Sequence, residues 1–491
     1  MNVSANKIDR TILPGGQEIS RLVCGLWQVA DLERSGAALD PRQSADILQS
    51  YVAAGFDTFD MADHYGSAEL ITGELLQRYS PGARPRAFTK WCPEPGPMTA
   101  DIVRAGVKAR LDRLGVDKID LLQFHWWTFE HPAWLDALHE MAALKKEGLI
   151  GEIGVTNFDA AHLALALADG IPITTNQVSF SLVDRRAAGD LSSLCQAKGV
   201  KLLAYGTLNG GFLSEKWLDR PEPTKITDWS KSKYKRFIDA AGGWKRFQNL
   251  LVTVDAIARR HGVSMSNVAT RWVLEHASVA AVIIGARIGE SEHRENNRQV
   301  FGFALDSEDR AKLESAFVFM TTIPGDCGDE YRKPPFLTAS GDLSHHLNAI
   351  PTAYETLPLS HRSGSRVSTG SVWEPIAGYS RAVRIRDAIF VSGTTATHTS
   401  GRIVAPGDAG AQATYILDKI AASIFAAGGK IEDVVRTRVY LRDAAKWEPV
   451  SRTHGRVFGG ILPANTMIEA GNLIGDYEVE IEADAIVDTA G

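Results

Sequence analysis

Cysteine is scarce. Cys24, Cys92, Cys195 and Cys327 are the only four in 491 residues, and no two are spaced as a pair. That excludes a disulfide framework and leads us to expect reduced thiols in a cytoplasmic protein. No cluster of cysteine and histidine carries metal-ligand spacing, and His139-Glu140 lacks the second histidine of a zinc-protease helix, so no metal is expected. No apolar run reaches the roughly 18 residues of a membrane span. The N-terminal MNVSANKIDRTILPGGQ has no apolar signal core. The formal net charge is −6 and no basic block stands out, which argues against nucleic acid as a partner. A glycine fingerprint of the dinucleotide-binding type after an early strand is also missing, which argues against a doubly wound dehydrogenase.

What is present is a long alternation of strand and helix signals. The strand-like runs are RLVCGLW, FDTFD, RAFTKW, IDLLQFH, GEIGV, ITTNQ, VKLLAY and VAAVIIG. Eight is the number that closes a parallel barrel, so the count is more telling than the alternation. Between the runs lie helical stripes. Val103, Val107, Leu111 and Leu114 form one, and Trp134, Leu138 and Met141 another. The longest connection, around GGFLSEKWLDRPEPTKITDWSKSKYKRFIDAAGGW, separates the seventh and eighth runs and is expected to cover the site.

Four residues stand at or just past strand ends: Asp60, Tyr65, Lys90 and His125. In a parallel barrel that is where reacting groups are mounted. The residue types suit proton delivery to a carbonyl oxygen. A free phenol, with a pKa of about 10, is too weak an acid at neutral pH, and a nearby ammonium lowers it. Asp60 can hold Lys90 in place beside Tyr65, while His125 polarises the carbonyl. No side chain supplies a hydride, so a nicotinamide cofactor is implied.

The stretches GFDTFDMADHYGSAE, FTKW, LLQFHWW, GEIGVTNF, TTNQVSFS, LLAYGTLNGGFL and IIGARIGESEHRENN resemble the aldo-keto reductase family, in its order. The resemblance implies a (β/α)8 TIM barrel and NADPH-dependent reduction of a small aldehyde or ketone. It makes Tyr65 the proton donor, Lys90 and Asp60 its tuning pair, and His125 the group that orients the carbonyl. NADP(H) is preferred, with NAD(H) possible. Asn157 and Gln177 would bond the nicotinamide carboxamide and Tyr205 would stack on its ring. The backbone of Gly206, Thr207 and Leu208 would line the pyrophosphate, Arg287 would meet the 2′-phosphate, and Asn297 would lie near the adenine. Trp27, Trp91 and Trp126 follow strand ends and are expected in the substrate pocket. Two other uses of the barrel stay open: oxidation of a sugar or alcohol with NAD(P), and a nicotinamide-sensing scaffold.

From about Pro324 to Ser371 periodicity fades, and Pro, Ser, Gly and His dominate. We divide the chain into a barrel at 1–340, a linker at 341–362 and an α+β domain at 363–491. In the last part, GYSRAVRIRDAIFVSGTT, AAGGKIEDVVRTRVYLRD, VFGGILPANTMIEA and YEVEIEADAIV resemble the Rid (YjgF/UK114-like) family of imine and enamine deaminases. This implies a chorismate-mutase-like fold and a homotrimer with ligand clefts between subunits. Tyr379, Ser392 and Glu480 match the family's cleft. Asn465 stands where deaminating members carry an arginine that grips a carboxylate, and an uncharged amide cannot replace that fork. Trimer assembly or binding of a neutral ligand is therefore expected ahead of imine deamination.

Overall fold

The computed structural model describes residues 7–34, 36, 39–286, 288, 293–337 and 350–488. It opens with a short antiparallel hairpin, β1 (Arg10–Ile12) and β2 (Glu18–Ser20). Eight parallel strands then close a barrel. They are β3 (Leu22–Gly25), β4 (Thr58–Asp60), β5 (Arg86–Trp91), β6 (Ile119–His125), β7 (Ile150–Thr156), β8 (Ile173–Ser179), β9 (Lys201–Tyr205) and β10 (Val279–Gly285). These are the eight runs read from the sequence. β10 pairs with β3 to complete the ring.

Four of these strands, β3, β4, β6 and β8, are buried along their whole length, because side chains point alternately into the barrel and out under the helices. The hairpin was not foreseen. Its Leu13 and Ile19 pack with Val23, Phe88, Leu121, Leu203, Ala280 and Ala281, filling the interior at the N-terminal ends of the strands. These side chains fill that end, and the cavity lies at the C-terminal ends of the strands.

The long connection after β9 holds helix Trp229–Ala240, which folds back over that open end. Gly206 and Gly210 allow the close approach. Both have left-handed backbone (φ 71° and 66°), and a Cβ on either would strike the ring of Tyr234.

A second sheet follows, in the order β11 (Glu355–Pro358), β12 (Ser365–Ser368), β13 (Ala382–Ile385), β14 (Ala388–Thr395), β17 (Val479–Ile486), β15 (Val434–Leu441), β16 (Ala464–Glu469). Only β15 and β16 run parallel. β11 pairs with β12 and lies inside the stretch assigned to the linker, so the sheet begins before residue 363. Helix Ala409–Ala426 covers one face of the sheet against β14 and β17, and helix Trp447–Phe458 packs beside it. The other face carries the half-exposed Phe390, Ile468 and Ile486.

Candidate active site

The barrel strands deliver their last residues to one cavity of about 650 Å³. At its floor Lys90 and Asp60 are almost fully buried and form an ion pair, Nζ to Oδ2 2.5 Å. A buried charge persists only when its remaining hydrogen-bonding capacity is met. Here Lys90 also donates to the carbonyl of Met61 (2.9 Å). The second carboxylate oxygen of Asp60 accepts from Gln123 (2.9 Å) and Gln177 (2.7 Å). The Lys90 ammonium lies 5.0 Å from the centre of the Tyr65 ring, placing a positive charge beside the phenol. Trp27 meets that ring edge-on at 5.0 Å and His64 at 4.8 Å.

His125 stands across from them. Its ring packs on Trp127 (4.3 Å) and Tyr331 (5.3 Å). Burial, and then the charges of Arg332, His64, Lys233 and Lys90, push its pKa well below the usual imidazole value. The ring is neutral at neutral pH, so only one nitrogen carries a proton. Nδ1 faces the Cys92 sulfur at 3.8 Å, and burial keeps that thiol protonated by raising its pKa far above normal. A neutral imidazole that accepts at Nδ1 carries its proton on Nε2. That Nε2 is buried and has no hydrogen-bond partner among the described residues. In that tautomer it can donate to a carbonyl oxygen held in the cavity.

The wall expected to hold a nucleotide is also assembled. Asn157, Gln177, Tyr205, Gly206, Thr207, Leu208 and Asn297 all line the cavity. Asn157 has left-handed backbone (φ 57°) and accepts from the Tyr205 hydroxyl at 2.9 Å. The Gln177 amide nitrogen, expected on the carboxamide, is instead engaged by Asp60 and Gln123. Arg287 lies outside the described residues. Lys216 and Lys231 bring positive charge to the lining. Cavity size, glycine loop and cationic lining fit a nicotinamide dinucleotide.

Two of the three expected pocket tryptophans are elsewhere. Trp91 and Trp126 are buried behind the strands, both packed on Phe124, and Trp126 donates to the carbonyl of His131 (3.0 Å). The reason is strand alternation: Lys90 and His125 point inward, so the next residue points out. Trp127 turns back into the cavity beside Trp27. Sequence reasoning missed Tyr331 and Lys233, which meet at 2.6 Å over the cavity. Tyr331 lies in a stretch without periodicity, and Lys233 lies in the long connection, where only its length gave a signal.

Asp63, His64 and Cys92 offer ligand atoms within 4.8 Å of one another, a grouping not visible in their spacing. The Asp63 carboxylate is already taken by His64 Nδ1 (3.0 Å), the Cys92 backbone N–H (2.9 Å) and Arg110 (3.5 Å). The group is satisfied as it stands.

In the second sheet, Tyr379, Ser392 and Glu480 gather near Arg381 and Gly393. Arg381 donates to the Tyr379 hydroxyl (3.1 Å) and the Gly393 carbonyl (2.7 Å), and a Cβ at Gly393 would overlap the Glu480 carboxylate. Burial raises the pKa of Glu480. Asn465 does not join them. It pairs with Thr437, whose hydroxyl bonds both the Asn465 amide (2.9 Å) and His454 on helix Trp447–Phe458 (2.8 Å). Asn465 therefore belongs to the helix-covered face and Glu480 to the open one.

Residues 21–317, more than half the chain, match the family model described as aldo/keto reductase family. The chain belongs to this family. It is accordingly an NAD(P)H-dependent oxidoreductase of the carbonyl-reducing kind. The aldo-keto reductase YhdN of Bacillus subtilis is 26% identical over 340 residues, covering 66% of this chain and 97% of that protein. Flagellar radial spoke protein 5 of Chlamydomonas reinhardtii is 31% identical over 257 residues, 44% of this chain, and the chain spans about half (49%) of its length. Residues 369–487 match a second model, described as endoribonuclease L-PSP. Over that region the chain is 41% identical to the solved Rv2704 of Mycobacterium tuberculosis, a member of the YjgF/YER057c/UK114 family. The match covers all of that chain and 26% of this one, with a TM-score of 0.23. The reductase thus carries a fused Rid-family domain.

Proposed function

We propose that the barrel reduces an aldehyde or ketone to the alcohol with NADPH, with Tyr65 as proton donor. The observation that carries this reading is the partnerless Nε2 of His125, set across the cavity from Tyr65 and the Lys90–Asp60 pair. A carbonyl oxygen entering there accepts from His125 Nε2 and is polarised. A nicotinamide cofactor, when bound, would supply the hydride for the carbonyl carbon. The Tyr65 O–H bond breaks as its proton passes to the oxygen, and the resulting phenolate is stabilised by Lys90 until solvent reprotonates it. Trp27, Trp127 and Tyr331 exclude water and favour a substrate with an apolar or ring-bearing body. Asn157 and Tyr205 hold the nicotinamide end, and the segment Gly206–Leu208 with Lys216 holds the phosphates.

The Rid-family domain, on this reading, assembles a homotrimer through its open sheet face, where Phe390, Ile468 and Ile486 await cover. The test is a panel of aldehydes and ketones against NADPH and NADH, followed by nucleotide absorbance, with scattering mass measured alongside. Turnover with NADPH and a trimeric mass are expected. Absence of carbonyl-dependent oxidation of either nucleotide across the panel would overturn the reductase reading, and a monomeric mass would remove the trimer.

A further inference from the structure

The contact between the two domains is built from buried charge, and it grips one barrel helix at both ends. Helix Ala160–Ala168 packs against helix Ala409–Ala426 of the Rid-family domain. At its C-terminal end, the enclosed Asp169 carboxylate accepts from Arg402 (2.8 Å) and from the backbone N–H of Ala405 (3.0 Å). At its N-terminal end, Asp159 caps the helix through the His162 backbone N–H (2.9 Å) and binds the His162 ring at 2.6 Å. The other nitrogen of that ring meets Asp418 of the Rid-family domain at 3.2 Å. Arg456, also from that domain, approaches Asp159 at 3.9 Å. Asp159 and His162 are almost wholly buried, so these partners are obligatory rather than decorative.

The capped end of this helix is two residues from Asn157. The same short turn runs from Asn157, at the cofactor wall, through Phe158 to Asp159, at the interface. A second path joins them. His162 stacks flat on Phe129 (3.4 Å, 7° between planes), and the Arg332 guanidinium lies 4.4 Å over the same ring. Arg332 donates to the backbone carbonyls of Asn157 (2.8 Å) and Trp126 (2.7 Å). Arg456 is held charged by Asp159, Asp418, Asp326 and Asp329. The last two belong to the segment that brings Tyr331 to the cavity and Arg332 to the Asn157 carbonyl.

We propose that Asp418 and Arg456 of the Rid-family domain are positioning residues for the reductase: they fix the Asn157–Asp159 turn and so set the affinity of the barrel for its nicotinamide cofactor. This rests on the reading of Asn157 as a cofactor-binding group. The chemistry is that of a shared ion network. Removing Arg456 leaves Asp159 with excess negative charge, and removing Asp418 releases the far side of His162. Either change frees the turn that carries Asn157. The fused domain is then part of the cofactor site's support, beyond any part in assembly.

The test uses the full-length protein. NADPH dissociation constants are measured by quenching of tryptophan fluorescence for wild type, Asp418→Asn, Arg456→Ala, Arg456→Lys and Asn157→Ala, with kcat at saturating cofactor measured in parallel. We expect Asp418→Asn and Arg456→Ala to weaken NADPH roughly fivefold or more, within the usual range of coupling between sites, while kcat changes far less. Arg456→Lys, which keeps the charge, should restore most of the affinity. Asp418→Asn keeps the size of the side chain and guards against simple misfolding, which circular dichroism would report. Unchanged NADPH affinity in both variants, with Asn157→Ala weakened, would overturn this inference alone. Unchanged affinity in Asn157→Ala would overturn the reading beneath it. Equal loss of kcat and affinity without rescue by lysine would mark a merely structural contact and also overturn the proposal.

Discussion

The barrel and the Rid-family sheet place similar residue types under different geometric rules. In the barrel, parallel strands all end on one side, so Asp60, Lys90 and His125 converge although some 30 residues separate each from the next. The filled bottom and the overlying helix Trp229–Ala240 turn that convergence into a cavity. The second sheet is open and mixed. Its period of two sends Glu480 to one face and Asn465 to the other, two strands across and tied to Thr437. A barrel completes a site within one chain. An open sheet with an uncovered apolar face leaves its groups apart until something covers that face.

The sharpest way to break the comparison is at Tyr65. If the barrel site is complete as assembled, Tyr65→Phe removes the proton and nothing else. Turnover should fall roughly a hundred- to ten-thousandfold, the usual scale for a general acid. NADPH binding by fluorescence should persist. Retention of near-normal turnover would show that another group delivers the proton.

The next largest effect is expected at Lys90. Replacing it by methionine leaves Asp60 buried with only the two glutamine amides and no counter-charge. Losing one partner of a buried pair costs about 3–5 kcal/mol, which urea titration would report. Activity should also collapse, because the phenol loses its neighbouring cation. A stable, active Lys90→Met variant would show that the pair is dispensable.

The same contrast explains what could be read from the sequence. All eight barrel strands and all four strand-end residues were legible, because strand periodicity and terminal position are local signals. Trp91 and Trp126 went astray through one-residue parity: an inward Lys90 or His125 sends its successor outward. The hairpin plug was illegible, since six short residues of strand carry too little pattern. Tyr331, Lys233 and the His162–Asp418 contact depend on partners about 100 to 256 residues away, and no local pattern encodes such a distance. Asn465 was placed by its motif, which fixes a sequence position but not a face.

A smaller effect is expected from pH at the domain contact. His162 is faced by Asp159 at its own helix cap, Asp418 and Arg456 from the Rid-family domain, and Arg332 beyond Phe129. It is fully buried, yet the two carboxylates raise its pKa above the ordinary imidazole value. A raised folded-state pKa means that the folded protein binds more protons than the unfolded chain between the two values. The contribution is thus fully present below the unfolded value of about 6.5 and is lost as pH rises through the folded one. Hydrogen exchange in helix Ala160–Ala168 should accelerate on the alkaline side. His162→Gln should flatten that dependence, and an unchanged profile in the variant would assign it to another group.

The smallest expected effect concerns the Rid-family site, where no chemistry on amino-acid-derived imines is expected. Glu480, with its raised pKa, is suited to handling a proton, and Tyr379 and Ser392 stand near it. What is missing is an anchor for a carboxylate. Arg381 is buried and spent on the carbonyl of Gly393, the hydroxyl of Thr394 and Tyr379. Arg402 is spent on Asp169 in the domain contact, and Arg438 on Glu482 and Asp484. With 2-aminoacrylate generated in situ, the wild-type protein should run at the uncatalysed rate, and a fast wild type would refute the argument from the missing fork. Asn465→Arg then separates two geometries. An arginine that keeps the orientation of Asn465 emerges on the helix-covered face and gains nothing for Glu480 of its own chain. Activity gained by that variant would mean that position 465 serves a cleft shared with a neighbouring copy. The contrast between a site closed within one chain and one closed only by assembly would then be demonstrated in a single protein.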